Sequence, residues 1–493
     1  MIAKTLRKSG LPISFPLSLL PMQKKLEHDV ESTQDQTKEI IEPNYQLTPL
    51  VSASFPPDGG YGWVCTVAAA IINAHSWGFN SAYTVFLAHY LNNNIFPGAT
   101  SLQYALVGSL SLTCLMLISP VATLAVGKIG IRATMMCGVV LETASLLCAS
   151  WATEIWHLFL TQGLVFGMGL GLIFIPVAAV VPQWFTTKRS LASGISLAGA
   201  GLGGAVYSLA AAAMMRNLGL RLTYRIMGSI AFVVNTSCTL LIKDRSRVTG
   251  SKQVSFDARL FKKWEYTLLL GFSVFSMLGY FILIFSLANF ANNIGLNSSQ
   301  ASVASALFNI GQAIGRPLIG YFSDTTGRIN MAGSMTFLAG VLPLVIWTNT
   351  KNYGVLIFFA LAEGLVAGNF WATIAPLVAE VVGLENVPCG LNLIWLVIAI
   401  PCTFSEPIAL EIFSGTGSYL GTQLFTGFMY IAAAGCMLAL RGWKIAQITQ
   451  SANKNDSDEQ GTATASAMSP CGEETEIIRA DEYWYKCFKW ANV

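Results

Sequence analysis

Runs of about twenty apolar residues recur along this chain, and their recurrence restricts the fold more than any other feature. Hydrocarbon offers no partners to backbone amides and carbonyls, so a run of this length crosses a bilayer as a helix that satisfies its own hydrogen bonds. Twelve runs are expected, in two sets of six. The first set is Tyr61 to Tyr90, Gln103 to Val126, Ile131 to Trp151, Ile155 to Val181, Ser190 to Met215 and Thr223 to Ile242. The second is Tyr266 to Asn292, Ala301 to Phe322, Ile329 to Thr348, Gly354 to Val382, Val387 to Phe413 and Gly421 to Leu440. Charged residues make up only 11% of the chain, against roughly 25% in soluble domains, which leads to the same class. The expected fold is an all-α membrane protein with an N-terminal half at residues 58–243, a basic linker at 244–264 and a C-terminal half at 265–441. Two such halves suggest a carrier, because many transporters place the substrate between structural repeats. Residues 1–57 and 442–493 mix charge, Pro and Ser and read as disordered tails.

The net charge of +3 is too small to argue for nucleic acid, and the basic residues collect at the ends of spans. The ten cysteines are scattered without a C-x-x-C pair, so they indicate neither a disulfide framework nor a zinc site. A signal-peptide core at Leu11 to Leu20 is disfavoured by Pro12, Pro16 and Pro21 and by the lack of a small-residue cleavage site.

Lys128, Arg132, Lys188, Arg189, Arg328, Arg441, Lys444 and the basic linker all fall on one side of the expected topology. Arg216, Arg221 and Lys351 fall on the other. The positive-inside rule then puts both termini and the linker in the cytosol, with the plasma membrane as the expected location and an internal membrane such as the vacuole as the alternative. Asn297-Ser298-Ser299 becomes an external glycosylation sequon, whereas Asn455-Asp456-Ser457 stays inside.

Two spans carry a polar stripe at helical spacing. One holds Ser302, Ser305, Asn309, Gln312 and Arg316; the other holds Asn73, Ser76, Trp77, Asn80 and Thr84. A guanidinium inside such a span costs roughly 2.5–3.5 kcal/mol on insertion scales, so Arg316 is expected to face a bundle interior or a water-filled cavity. Snorkelling to the interface is the competing reading for Arg316, which lies toward one end of its span. For each polar residue taken singly, a structural hydrogen bond to a neighbouring helix competes with a pathway role. His75 lies off the stripe and reads as a packing residue.

Glycines crowd the fourth and fifth spans: Gly163, Gly167, Gly169 and Gly171, then Gly194, Gly199, Gly201, Gly203 and Gly204. The formal G-x-G-x-x-G at Gly199 to Gly204 is not a dinucleotide site, since no strand precedes it and no acid follows about 20 residues on. Close helix packing is the expected role. Among intramembrane acids, Glu363 and Glu406 are the candidate proton sites, Glu411 lies near an interface, and Glu142 is expected to pair locally. No zinc-ligand spacing, P-loop or nucleophile context is present, so neither an enzyme nor a cofactor is expected.

Several motifs resemble the monocarboxylate transporter family of the major facilitator superfamily. These are Pro57-Asp58-Gly59-Gly60-Tyr61-Gly62-Trp63, then Pro182-Gln183-Trp184-Phe185 with Lys188-Arg189-Ser190-Leu191-Ala192-Ser193-Gly194, and Gly315-Arg316-Pro317. Gly320 to Arg328 resembles the superfamily's G-x-x-x-D-x-x-G-R loop, and Gly127 to Arg132 a degraded copy of it. Tyr90 to Asn94 and Ser76-Trp77-Gly78 are most similar to the fungal branch. The resemblance implies the major facilitator fold, alternating access by the two halves, Arg316 as the contact for a substrate carboxylate, and Asp324, Gly327 and Arg328 as a gating loop. It also implies two departures. A helix-one Lys of lactate carriers aligns with Ser81, and their proton-linked Asp aligns with Gln312. Simple lactate–proton symport is therefore not expected.

The leading expectation is a secondary transporter of an organic acid or related metabolite, with substrate contacts from Arg316, Gln312, Asn309, Asn80, Asn73 and Ser81. Its partners are that small molecule and the lipid bilayer; an accessory membrane protein is left unidentified. Efflux of a secondary metabolite and carriage of a riboflavin-like vitamin are alternatives, and a non-transporting nutrient sensor is the alternative of another class.

Overall fold

The computed structural model describes residues 58–92, 95–245 and 256–463. They form twelve helical rods and, among the described residues, no strand. The first half comprises α1 (Tyr61–Ser81, continued by Tyr83–Asn92), α2 (Ser101–Leu117 and Ser119–Ile129), α3 (Ile131–Ala149), α4 (Ile155–Trp184), α5 (Arg189–Leu218) and α6 (Leu220–Leu241). The second comprises α7 (Trp264–Asn293), α8 (Ser298–Thr326), α9 (Arg328–Val345), α10 (Tyr353–Val382), α11 (Val387–Thr416) and α12 (Leu420–Ala463). Local sequence sets several ends. Asn297 and Thr100 each form a capping box, with Gln300 and Gln103 respectively. Ser119-Pro120 bends α2 by 45°, because proline cannot donate to the preceding turn.

Eight rods are long and apolar enough to cross a membrane unaided, and the bent α2 makes a ninth. The three that fall short of that apolarity are α1, α6 and α8, and two of these are the striped spans. Their polar residues are intelligible only if they face protein, so the deficit locates the interior of the molecule.

In lipid, helices associate through van der Waals packing rather than through release of water, and small residues permit the closest approach. Helix α5 uses this on two faces. A Cβ on Gly199 or Gly203 would overlap the carbonyl oxygens of Ala70 and Ala74 on α1. On the other face, a Cβ on Gly194 would overlap the carbonyl of Arg316 on α8, and one on Gly201 would lie 2.6 Å from the carbonyl of Asn309. The glycine-rich fifth span is thus a packing element, as expected, but one that joins the two halves as well as its own. The halves also meet where α2 lies against α11 and α5 against α10.

One boundary differs from expectation. The last helix runs on to Ala463 instead of ending near residue 441, and Ile445 and Ala446 are buried against the bundle. No proline interrupts this stretch, and its apolar positions continue the helical face. Arg225 lies at the less basic end, donating to Ser150 at 3.1 Å and stacking over Trp151 at 4.8 Å, which adds a charge to the three assigned there.

Candidate functional site

Arg316 sits in the middle of the molecule, 5% exposed, so it does not snorkel. Its guanidinium spans the seam: one nitrogen donates to the carbonyl of Leu197 on α5 at 2.7 Å, the other to Gln312 one turn earlier and to the Tyr280 hydroxyl on α7 at 3.3 Å. Tyr280 in turn donates to Gln312 Oε1 at 2.7 Å. Gly368 on α10 makes room for this group, since a Cβ there would lie 2.9 Å from Arg316 Nε. That Nε is buried without a partner, and Arg316 forms no ion pair among the described residues. A cation held by three neutral acceptors retains most of its attraction for an incoming anion.

The remaining polar residues of the two stripes divide into distinct groups. Asn73 donates to the carbonyl and the hydroxyl of Ser196, at 2.9 and 3.2 Å, and lines a narrow cavity between the halves. Asn80 donates to Ser111 at 2.9 Å within its own half. Ser81 packs against Gly204, and Asn309 lies beside the same glycine. Ser76 joins Asn235 on Glu142, whose Oε2 accepts from them at 3.2 and 3.0 Å. That agrees with the local pairing expected of Glu142. Only part of each stripe therefore reaches the seam. The side chains of Thr84 and Glu406 lie outside the described residues. Glu363 is fully buried, and neither of its carboxyl oxygens has a hydrogen-bond partner.

A second cluster closes the basic end. The Asp324 carboxylate on α8 accepts from the backbone amides of Ser190 and Leu191 at 3.1 and 2.9 Å, the first turn of α5. These amides have no partner within their own helix, and the N-terminal dipole favours a negative charge there. Arg328 lies 3.5 Å from Asp324 and donates to the carbonyl of Thr186 at 3.1 Å. Asp58, just before α1, accepts from the amides of Thr186 and Thr187 at 2.5 and 3.0 Å and from the Thr186 hydroxyl. Partial burial raises the Asp58 pKa, but these bonds outweigh it and hold the carboxyl below its ordinary value of 3.8. Gly327 adopts φ 98°, a left-handed conformation open to glycine, and so turns the chain between α8 and α9. The Asp324 to Arg328 turn and the Asp58 motif thus share one short segment, residues 186–191, as their common anchor.

Sequence patterns missed Tyr280, Trp371, Trp395 and Phe174. Each is an aromatic residue inside an otherwise apolar span, where nothing in the local pattern distinguishes a site residue from a packing one. The helical stripes revealed only residues whose polarity is unusual for their surroundings.

The sequence profile of the Major Facilitator Superfamily matches residues 65–274 and again 267–488. A probable transporter of Saccharomyces cerevisiae, MCH2, is 34% identical over 401 residues, covering 79% of this chain and 84% of its own. Monocarboxylate transporter 13 of Bos taurus is 25% identical over 78% of this chain and 90% of its own. The agnestins efflux protein AgnL12 of Paecilomyces divaricatus is 25% identical over 76% of this chain and 86% of its own.

Proposed function

The chain belongs to the Major Facilitator Superfamily, and from that premise we propose that it moves an organic anion or a related small metabolite by alternating access of its two halves. It is a multi-pass membrane transporter and not an enzyme. The observation that carries the anion is Arg316: a buried guanidinium at the seam, bonded to both halves and unpaired with any described carboxylate. An anion arriving there gains a charge-assisted, two-pronged contact and relieves an uncompensated charge. Asp324 and Arg328 hold the basic end shut in the conformation seen here and release it in the other. Glu363, buried without a partner, binds the coupling proton. Burying an unpaired carboxylate costs several kcal/mol, which favours Glu363 over Glu142, whose carboxylate accepts two hydrogen bonds.

We place the protein in the plasma membrane with both termini cytosolic, as the basic end indicates. Export is the second reading, favoured by the likeness to an efflux protein. The test is untargeted comparison of metabolites inside and outside cells that express the wild type or Arg316→Lys at equal surface levels. A carboxylate whose gradient depends on the wild type and collapses with the Lys variant is the expected result. An unchanged gradient with Arg316→Lys would remove Arg316 from the site, since a single ammonium cannot reproduce the bidentate fork.

A further inference from the structure

Beyond the charge at Arg316, the seam has a second chemical character. Four rings from both halves meet there: Trp77 of α1 and Phe174 of α4 face Trp371 of α10 and Trp395 of α11. Trp77 lies edge-on to Trp371 at 5.3 Å, Phe174 lies 6.1 Å from Trp371 and 5.7 Å from Trp395, and the two C-terminal-half tryptophans stack at 5.9 Å and 17°. Phe174, Trp371 and Trp395 line the narrow cavity that Leu197 also lines, and Leu197 is the residue whose carbonyl Arg316 holds. Tyr280, bonded to Arg316, approaches Trp371 at 6.3 Å. The cation and the rings therefore form one continuous site.

Four polar atoms around this site share a property. Trp77 Nε1, Trp395 Nε1, Ser193 Oγ and Arg316 Nε are all buried without a hydrogen-bond partner. Trp395 is 1% exposed and Ser193 5%, and both line the cavity. Buried orphans of this kind are rare in native proteins, because each forfeits its hydration. All four can donate. Orphans inside the individual halves are of both kinds, with acceptors on Glu142, Asn235 and Gln162 and donors on Trp347 and Tyr430. A donor-rich, aromatic-walled site calls for a ligand that is flat, aromatic and rich in oxygen acceptors.

We propose that the substrate is a planar aromatic acid bearing further oxygen acceptors, with its ring between the halves' tryptophans, its carboxylate toward Arg316 and its ring oxygens on Trp395 and Ser193. This deepens the anion-transport reading and rests on it. In the closed form the rings cover one another across the seam, and the space between them is narrow. When the halves part, Trp371 loses Trp77 and Phe174, and the flat face of the substrate replaces them. A saturated acid of equal size supplies neither the π-face nor the acceptors.

The test is ligand quenching of intrinsic tryptophan fluorescence and thermal stabilisation of the full-length protein in detergent. The probes are 6-methoxy-2-naphthoate, 2-naphthoate, decalin-2-carboxylate, 2-naphthamide and L-lactate. The expected order places 6-methoxy-2-naphthoate first and decalin-2-carboxylate at least about tenfold weaker, as the loss of two or more aromatic contacts implies. Trp395→Phe, which removes the donor, is expected to weaken the methoxy compound about fivefold more than it weakens 2-naphthoate. Arg316→Gln, which removes the charge, should erase the preference for 2-naphthoate over 2-naphthamide, and Arg316→Lys should only narrow it. Equal binding of the saturated and aromatic acids, still dependent on Arg316, would overturn the aromatic class and leave anion transport standing. Binding of acid and amide alike, indifferent to Arg316, would overturn the anion reading itself. Should Trp395→Phe fail to fold, the wild-type ranking of the naphthoates against the decalin acid decides the question.

Discussion

Arg316 and Gln312 lie one turn apart on α8, and the guanidinium donates to the Gln312 amide oxygen. This pairing leaves the cation fully charged and without an internal anion to displace. Gln312→Asp should therefore create an internal competitor for the substrate, and transport is expected to fall by about tenfold. Uptake or efflux at equal surface levels checks it, and unchanged transport would contradict the role given to the pair.

Asp324 caps α5 from the opposite half, so under the proposed gating its charge stabilises only the closed arrangement of the basic end. Asp324→Asn keeps the size and removes the charge, at a cost of about 0.5–2 kcal/mol for a partly buried helix-dipole contact. The closed state should lose population about two- to thirtyfold. A cysteine introduced at Thr123, which lines the basic-end cavity, is expected to react faster with a membrane-impermeant maleimide in that background.

Two glycines on α5 should respond differently to the same change. A Cβ at Gly203 meets α1 of its own half, whereas one at Gly194 meets α8 across the seam. Gly203→Val is expected to reduce folded protein at the membrane severely. Gly194→Val should yield folded protein that cannot close its basic end, with transport lost and Thr123→Cys labelling raised. Equal expression and equal labelling for both variants would show that the seam does not close through these contacts.

Asp58 has a carboxyl held below 3.8, so its contribution to stability is fully present above that value and is lost as pH falls through the lower, folded value. It cannot supply a pH response between 5 and 8. Asp58→Asn should therefore weaken closure without altering the shape of the transport pH profile, while Glu363→Gln should flatten that profile. The two profiles, measured side by side, separate a gate residue from a proton site.

Asn297 is exposed and caps α8 with its side-chain oxygen. If that end is external, Asn297→Gln should abolish a glycosidase-sensitive mobility shift in protein from eukaryotic cells and leave the membrane level within about twofold. A shift that persists in the variant would argue against the assigned orientation.

Apolar length by itself determined nine of the twelve rods, because a lipid solvent imposes helices of nearly fixed length on any chain that crosses it; α1, α6 and α8 are too polar for that criterion alone. Helical spacing likewise marked α1 and α8, since polar side chains in hydrocarbon demand a reason. What the spacing could not reveal was which of those residues meet. Asn80 turns to Ser111 within its half, Asn73 reaches a cavity at the seam, and Gln312 finds both Arg316 and Tyr280. Asp324 and Ser190, 134 positions apart, become helix and cap only when the two halves dock. The four rings at the seam come from four helices, and only Trp77 lies on a marked stripe; Phe174, Trp371 and Trp395 break no local pattern. Their identity as a site arises from the relative placement of those helices, a property of the packed bundle that no single span encodes.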